Sequence, residues 1–236
     1  YGVIAAGLVF WLRSILGTRH GEERERPNPL ANAPEISPDS PEMANNIQDV
    51  HVNISDRIAD LADNPTGIFS IENKTAQNGL MEVVNAEKDF DIDFFAEASQ
   101  DVFVMIVEAF ARGDRDMLED LLKPDVYKAF EGAITEREKS GETLESEIHA
   151  IKKAQVISAM VEAKMSYITV RFVAEETRVT MDKDGEIISG SPDHVTEMID
   201  IWTFAHDVSG KDPRWLLIET RSEDPETDND LVPDTK

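Results

Sequence analysis

Asp200 stands in the stretch MIDIWTFAHD, where Met198, Trp202 and Phe204 share its parity. If the stretch is a strand, alternation places the carboxylate among these apolar neighbours on one face. A carboxylate so placed is either paired or shifted toward its neutral form. Two chemistries follow. It is a general base lining a pocket, with Tyr167 as the second polar group, or it meets Arg171 across strands as a core ion pair. Buried charges are usually paired, which favours the second. His206-Asp207 suggests acid–base work, yet adjacent strand residues point to opposite faces, so Asp207 cannot orient the neighbouring imidazole. DKDGE, Asp182 to Glu186, has calcium-like acids, but its glycine comes two positions early for an EF-hand loop. Asp184-Gly185 reads instead as a hairpin turn. The sequence contains no phosphate loop, no His-x-x-x-His pair, no Gly-x-Ser-x-Gly and no dinucleotide fingerprint. No catalytic residue, metal or cofactor is assigned. The candidate pocket set is Tyr167, Arg171, Met198, Asp200, Trp202 and Phe204.

The elements that would position these residues are legible in the spacing. From Phe90 the run FDIDFFAEASQDVFVMIVEAFARGD carries Phe95, Val102, Ile106 and Ala109 at helical intervals, with Phe103, Val107 and Phe110 widening the stripe. Asp91 and Asp93 suit its first turn and Gly113 its end. Asp114 then caps a short helix through Leu118, Leu121 and Leu122. A third helix starts at Pro124 and stops at Gly141, with Val126, Phe130, Ala133 and Ile134 inward. After Gly141 the period becomes two. Ile168, Val170, Phe172 and Ala174 take one face, while Tyr167, Thr169 and Arg171 take the other. Further strands are expected over Ile148–Ala159, Val195–Val208 and Trp215–Glu223. Helices followed by an antiparallel sheet make an α+β fold with the helices on one face.

Ahead of this body, residues 17–89 read as a basic collar and a mostly disordered linker punctuated by Pro27, Pro29, Pro34, Pro38 and Pro41. Within it, Val52–Asp63 has the apolar spacing of a short helix ending before Pro65. The opening run from Tyr1 to Leu12 is apolar and then meets Arg13, Arg19, Arg24 and Arg26. A span needs about 20 apolar residues, so residues 1–16 read as part of a membrane anchor. The arginines following it put the rest on the cytoplasmic side, where they would meet anionic lipid. Residues 224–236 are acidic and read as a disordered tail.

With a formal net charge of −25, the chain would be repelled by nucleic acid. It contains no cysteine, which removes disulfides and thiol chemistry.

Two stretches carry a family likeness: AFARGDRDMLEDLLKPDVYKAFEGAITEREKSGE and VTEMIDIWTFAHDVSGKDPRWLLIET. From about Phe90 to Glu223 the chain resembles the Tim44-like domain family, most specifically at Asp200 to Phe204, Asp207, Asp212, Pro213 and Trp215. The layout of anchor, collar, linker and domain resembles the alphaproteobacterial members. The resemblance implies a nuclear-transport-factor-two-like cone with a large apolar pocket. It also implies a non-enzymatic adaptor or scaffold on the inner membrane, binding protein partners and lipid in translocation or the assembly of membrane complexes. The bacterial inner membrane, cytoplasmic side, is the expected location, ahead of the matrix side of the mitochondrial one. Two other readings stay open: a ketosteroid-isomerase-type pocket enzyme, and a ribosome-to-membrane tether of the kind that another family member implies.

Overall fold

A computed structural model describes residues 54–210 and 212–223. The chain divides into two compact units, Tyr1–Arg57 and Ile58–Lys236; apart from the first turn of α1, everything below belongs to the second. The expected anchor, the arginine collar and the acidic tail lie outside the described residues. Among those described, no helix is long and apolar enough to cross a membrane.

The elements run α1 (54–63), β1 (Phe69–Ile71), α2 (Lys74–Ala86), α3 (Ile92–Arg112), α4 (Arg115–Leu121) and α5 (Pro124–Ser140). Strands β2 (Thr143–Glu162), β3 (Met165–Met181), β4 (Ile187–Asp207) and β5 (Leu216–Ser222) follow. The caps are those that the residue types demand. Asp91 Oδ1 accepts from the amides of Asp93 and Phe94, Asp114 Oδ1 from Met117, and Asn73 Oδ1 from Ala76. Gly113 and Gly141 close α3 and α5 at φ 70° and 73°, where a side chain would be strained. Asp182 Oδ1 accepts from the amides of Asp184 and Glu186, so DKDGE is a tied β3–β4 turn.

The five strands form one sheet in the order β1-β2-β3-β4-β5. β2 to β5 are antiparallel in sequence, while β1 runs parallel to β2 through Phe69–Ala154 to Ile71–Val156. The fold is α+β as expected, with a mixed sheet. One face is buried: Ile168, Val170, Phe172 and Ala174 of β3 are fully enclosed. Phe103 of α3 stacks on Phe172 with centroids 4.5 Å apart and leans on Trp202 at 4.7 Å.

The reading of residues 17–89 as mostly linker fails over its second half. The folded body starts well before Phe90, because α2 buries Ala76, Leu80, Val83 and Val84 at helical spacing and β1 buries Phe69, Ser70 and Ile71. The apolar intervals 76, 80, 83 and 84 carried that signal. Asn, Asp and Pro around them outweighed it in a reading by composition. The short helix expected before Pro65 is present over 54–63, with Ile58 and Leu61 buried.

Candidate functional site

Strand register decides which candidate residues share a surface. Phe172 pairs with Asp200 and Arg171 with Ile201, so the two charged residues sit on opposite faces of the sheet. The expected Arg171–Asp200 ion pair therefore does not form. Arg171 lies on the outer face, where its Nη1 donates to Glu72 at 2.7 Å and its Nε and Nη2 grip both oxygens of Glu223 at 2.9 and 3.0 Å. These bonds hold its pKa above the usual arginine value. The clamp ties the residue after β1 to the residue after β5, across the width of the sheet. Tyr167 shares this outer face, beside the Thr169–Thr203 hydroxyl pair at 3.0 Å. Two shallow grooves run here. One, of about 280 Å³, is lined by Ser158, Met160, Tyr167, Thr169 and Thr203 among others. The other, of about 250 Å³, reaches Glu72, Glu219 and Arg221.

Met198, Asp200, Trp202 and Phe204 lie on the helix-covered face, and none is more than 5 % exposed. Where the resemblance implied a large apolar pocket, the rings fill the space. Trp202 and Phe204 adjoin at 6.4 Å, Phe204 meets Phe95 edge-on at 6.1 Å, and Phe95 meets Trp215 at 5.2 Å. Asp200 is buried within this packing. Its acidic neighbour is Glu176, which is 3 % exposed and accepts a hydrogen bond from the Ser146 hydroxyl at 3.2 Å. Burial pushes the Glu176 carboxyl up to about 7; Arg178 and the Ser146 hydroxyl pull it back, and the nearby charge of Asp200 adds to the rise. Glu176 went unnoticed in the sequence because EE in EETRVT looks like surface charge. Its parity with Phe172 and Ala174 was the available signal.

The third cluster surrounds His206. Its Nδ1 lies 2.9 Å from Glu87 Oε2 and its Nε2 lies 3.0 Å from the Asp212 carbonyl oxygen. Both partners are acceptors, and a neutral imidazole can donate only once. Holding both bonds requires the imidazolium, and the bond to Glu87 accordingly raises the His206 pKa, with the charges of Glu87 and Asp207 and the Asp212 carbonyl adding to it. The ring stacks on Trp215 at 5.5 Å. As expected, Asp207 does not serve this histidine directly; it accepts from the amide and hydroxyl of Ser209. The cluster is a structural latch from the C-cap of α2 to the β4–β5 connection. Among the described residues no group of three or more His, Asp or Glu side chains is placed to hold a metal ion.

The family model described as Tim44-like domain matches residues 76–222. The chain is 24% identical over 170 residues to the mitochondrial import inner membrane translocase subunit TIM44 of Homo sapiens, a match covering 70% of this chain and 36% of that protein. It is 24% identical over 161 residues to the probable subunit tin-44 of Caenorhabditis elegans, covering 66% of this chain and 38% of that one. The matched region is thus little more than a third of these relatives. Among solved structures, the intermembrane space region of the chloroplast protein ARC6 aligns over 56% of this chain and 96% of that chain, at 17% identity and a TM-score of 0.41, a likeness too slight to bear on fold or function. The matched span runs from within α2 to the last residue of β5, and by it the chain belongs to the Tim44-like domain family.

Proposed function

We propose that this chain is a membrane-side adaptor in protein translocation, acting by binding polypeptide partners rather than by catalysis. The observation that carries the reading is the filled helix-covered face. Phe95, Phe103, Phe172, Trp202 and Phe204 occupy the space in which a ketosteroid-isomerase-type enzyme would hold its substrate. Large exposed apolar groups are instead at the surface, on β2 and β4. The relatives' names supply the process, since they are import translocase subunits of an inner membrane. The apolar run from Tyr1 and the arginines 13, 19, 24 and 26 would anchor the domain to such a membrane and engage anionic lipid. The net charge of −25 opposes the ribosome-tether alternative.

The test is chemical crosslinking in native inner membranes followed by mass spectrometry. The adaptor reading expects membrane-inserted translocase components and partly translocated chains to be captured. Recovery of ribosomal proteins alone would replace it with the tether reading. Anchoring has its own check: the protein should stay with the membrane pellet after carbonate extraction, and release by salt alone would contradict a span.

A further inference from the structure

β4 is flanked on one side by β3 along nearly its whole length, but β5 covers its other side only from Asp200 to Ala205. The Glu223 amide extends that ladder by one rung, donating to the Ile199 carbonyl at 2.9 Å. Beyond it, among the described residues, no strand pairs with this side of β4. Antiparallel residues present both backbone groups to the same neighbour and alternate along the strand. Register from Val195 to Asp200 is unbroken against β3, and the Ile199 carbonyl points away from β3. The backbone groups of Glu197 and Val195 therefore also point outward. Val195 is 49% exposed, and Ile187 and Ile188 near the start of the strand are 50% and 53% exposed.

Open strand edges are templates for strand addition. The chain's own continuation is a poor occupant here. In register with β5, Pro225 would fall opposite Glu197 and has no N–H to donate to its carbonyl. Residues 224–236 also carry five acids against one lysine. The edge itself is acidic: from Ile187 to Ile199, β4 carries Asp193 and Glu197 and no lysine or arginine. Glu197 lies directly across from Glu175, a like-charge pair that Lys152 answers only on the Glu175 side. A second copy of so acidic a chain is disfavoured for the same reason.

We propose that the outward edge of β4 around Val195–Ile199 binds an extended segment of another polypeptide, added as a strand in line with β5. Its occupant alternates Lys or Arg with β-branched residues, the cation sitting beside Glu197. The inference rests on the adaptor reading only for the identity of the protein that supplies the segment.

The test uses the whole chain and a fluorescein-labelled decapeptide alternating Lys and Val, read by fluorescence anisotropy. The peptide residue opposite Glu197 must turn its amide toward β4 and its side chain to the same face as the Glu197 carboxylate. N-methylation of the lysines should therefore weaken binding at least tenfold, while N-methylation of the valines should leave it within about twofold. Glu197→Lys should weaken the unmodified peptide at least tenfold. Val195→Pro, which removes an outward amide, should do likewise with the melting temperature unchanged. Equal effects of the two methylation patterns, or indifference to Glu197→Lys, would overturn the inference. If the methylation pattern holds but membrane crosslinking captures no translocating chain, the edge site stands and the adaptor reading falls.

Discussion

Glu176 and His206 are two titrating residues through which a rise in pH should weaken the fold. The Glu176 carboxyl, near 7 when folded, is protonated over a range in which the unfolded carboxyl, at about 4.3, has already ionised. Its burial is therefore harmless below pH ~4.3, and stability is lost as pH rises through the folded value. Glu176→Gln should raise stability above pH 7 by roughly 4 kcal/mol, since each tenfold change in proton affinity is worth about 1.4 kcal/mol, with the gain vanishing at low pH. Urea melts at pH 4 and 8 would measure this, and equal gains at both would contradict it. His206 has a raised folded pKa, so its stabilisation is complete below the ordinary histidine value of about 6.5 and is lost as pH rises through the raised one. His206→Asn should abolish that higher-pH part of the decline while leaving the Glu176 part. The sequence showed which face each residue of β3 takes. It did not show what lies across, since the irregularity of β4 between Gly190 and Val195 resets the register parity that the tied turn at Asp182–Glu186 begins. A slip of one residue would have put Arg171 opposite Asp200; the observed register puts Phe172 there.

At the scale of elements, caps and alternation made α3, α4, α5 and the strands readable, because each rests on local chemistry: Asp91, Asp114, Pro124, Gly113 and Gly141 say where helices begin and stop. β1 and α2 were hidden for the opposite reason. A three-residue strand has too little pattern to see, and its place beside β2 is a long-range choice. Gly79 shows how tightly α2 sits: a methyl there would strike the Ala159 carbonyl of β2. Gly79→Ala, which would gain about 1 kcal/mol of helix propensity in isolation, should instead destabilise by roughly 1–3 kcal/mol through overpacking. Thermal or urea unfolding decides the sign. A chain begun at Phe90 would lose α2, β1 and the Glu72 arm of the Arg171 clamp. It should be expressed as insoluble or molten protein, whereas one begun near Ile54 should melt cooperatively.

For the whole molecule, composition spoke clearly against nucleic acid and thiol chemistry, and the resemblance pointed to the family that the match over 76–222 shows. The cavity that the same resemblance implied was not to be had from sequence. Whether an α+β domain keeps a hollow depends on ring volumes meeting from distant elements, here Phe103 of α3 on Phe172 and Trp202. With that face filled, the proposed adaptor would meet its partners at its surface. The most direct test places a photocrosslinking residue at Val195 on the open edge and, separately, at Glu136 on the exposed face of α5, in membranes holding an arrested, half-translocated chain. The account predicts crosslinks to the arrested chain from position 195, lost when that chain is released, and none from position 136. Crosslinks of equal yield from both positions, or none from 195 while the chain is arrested, would contradict it.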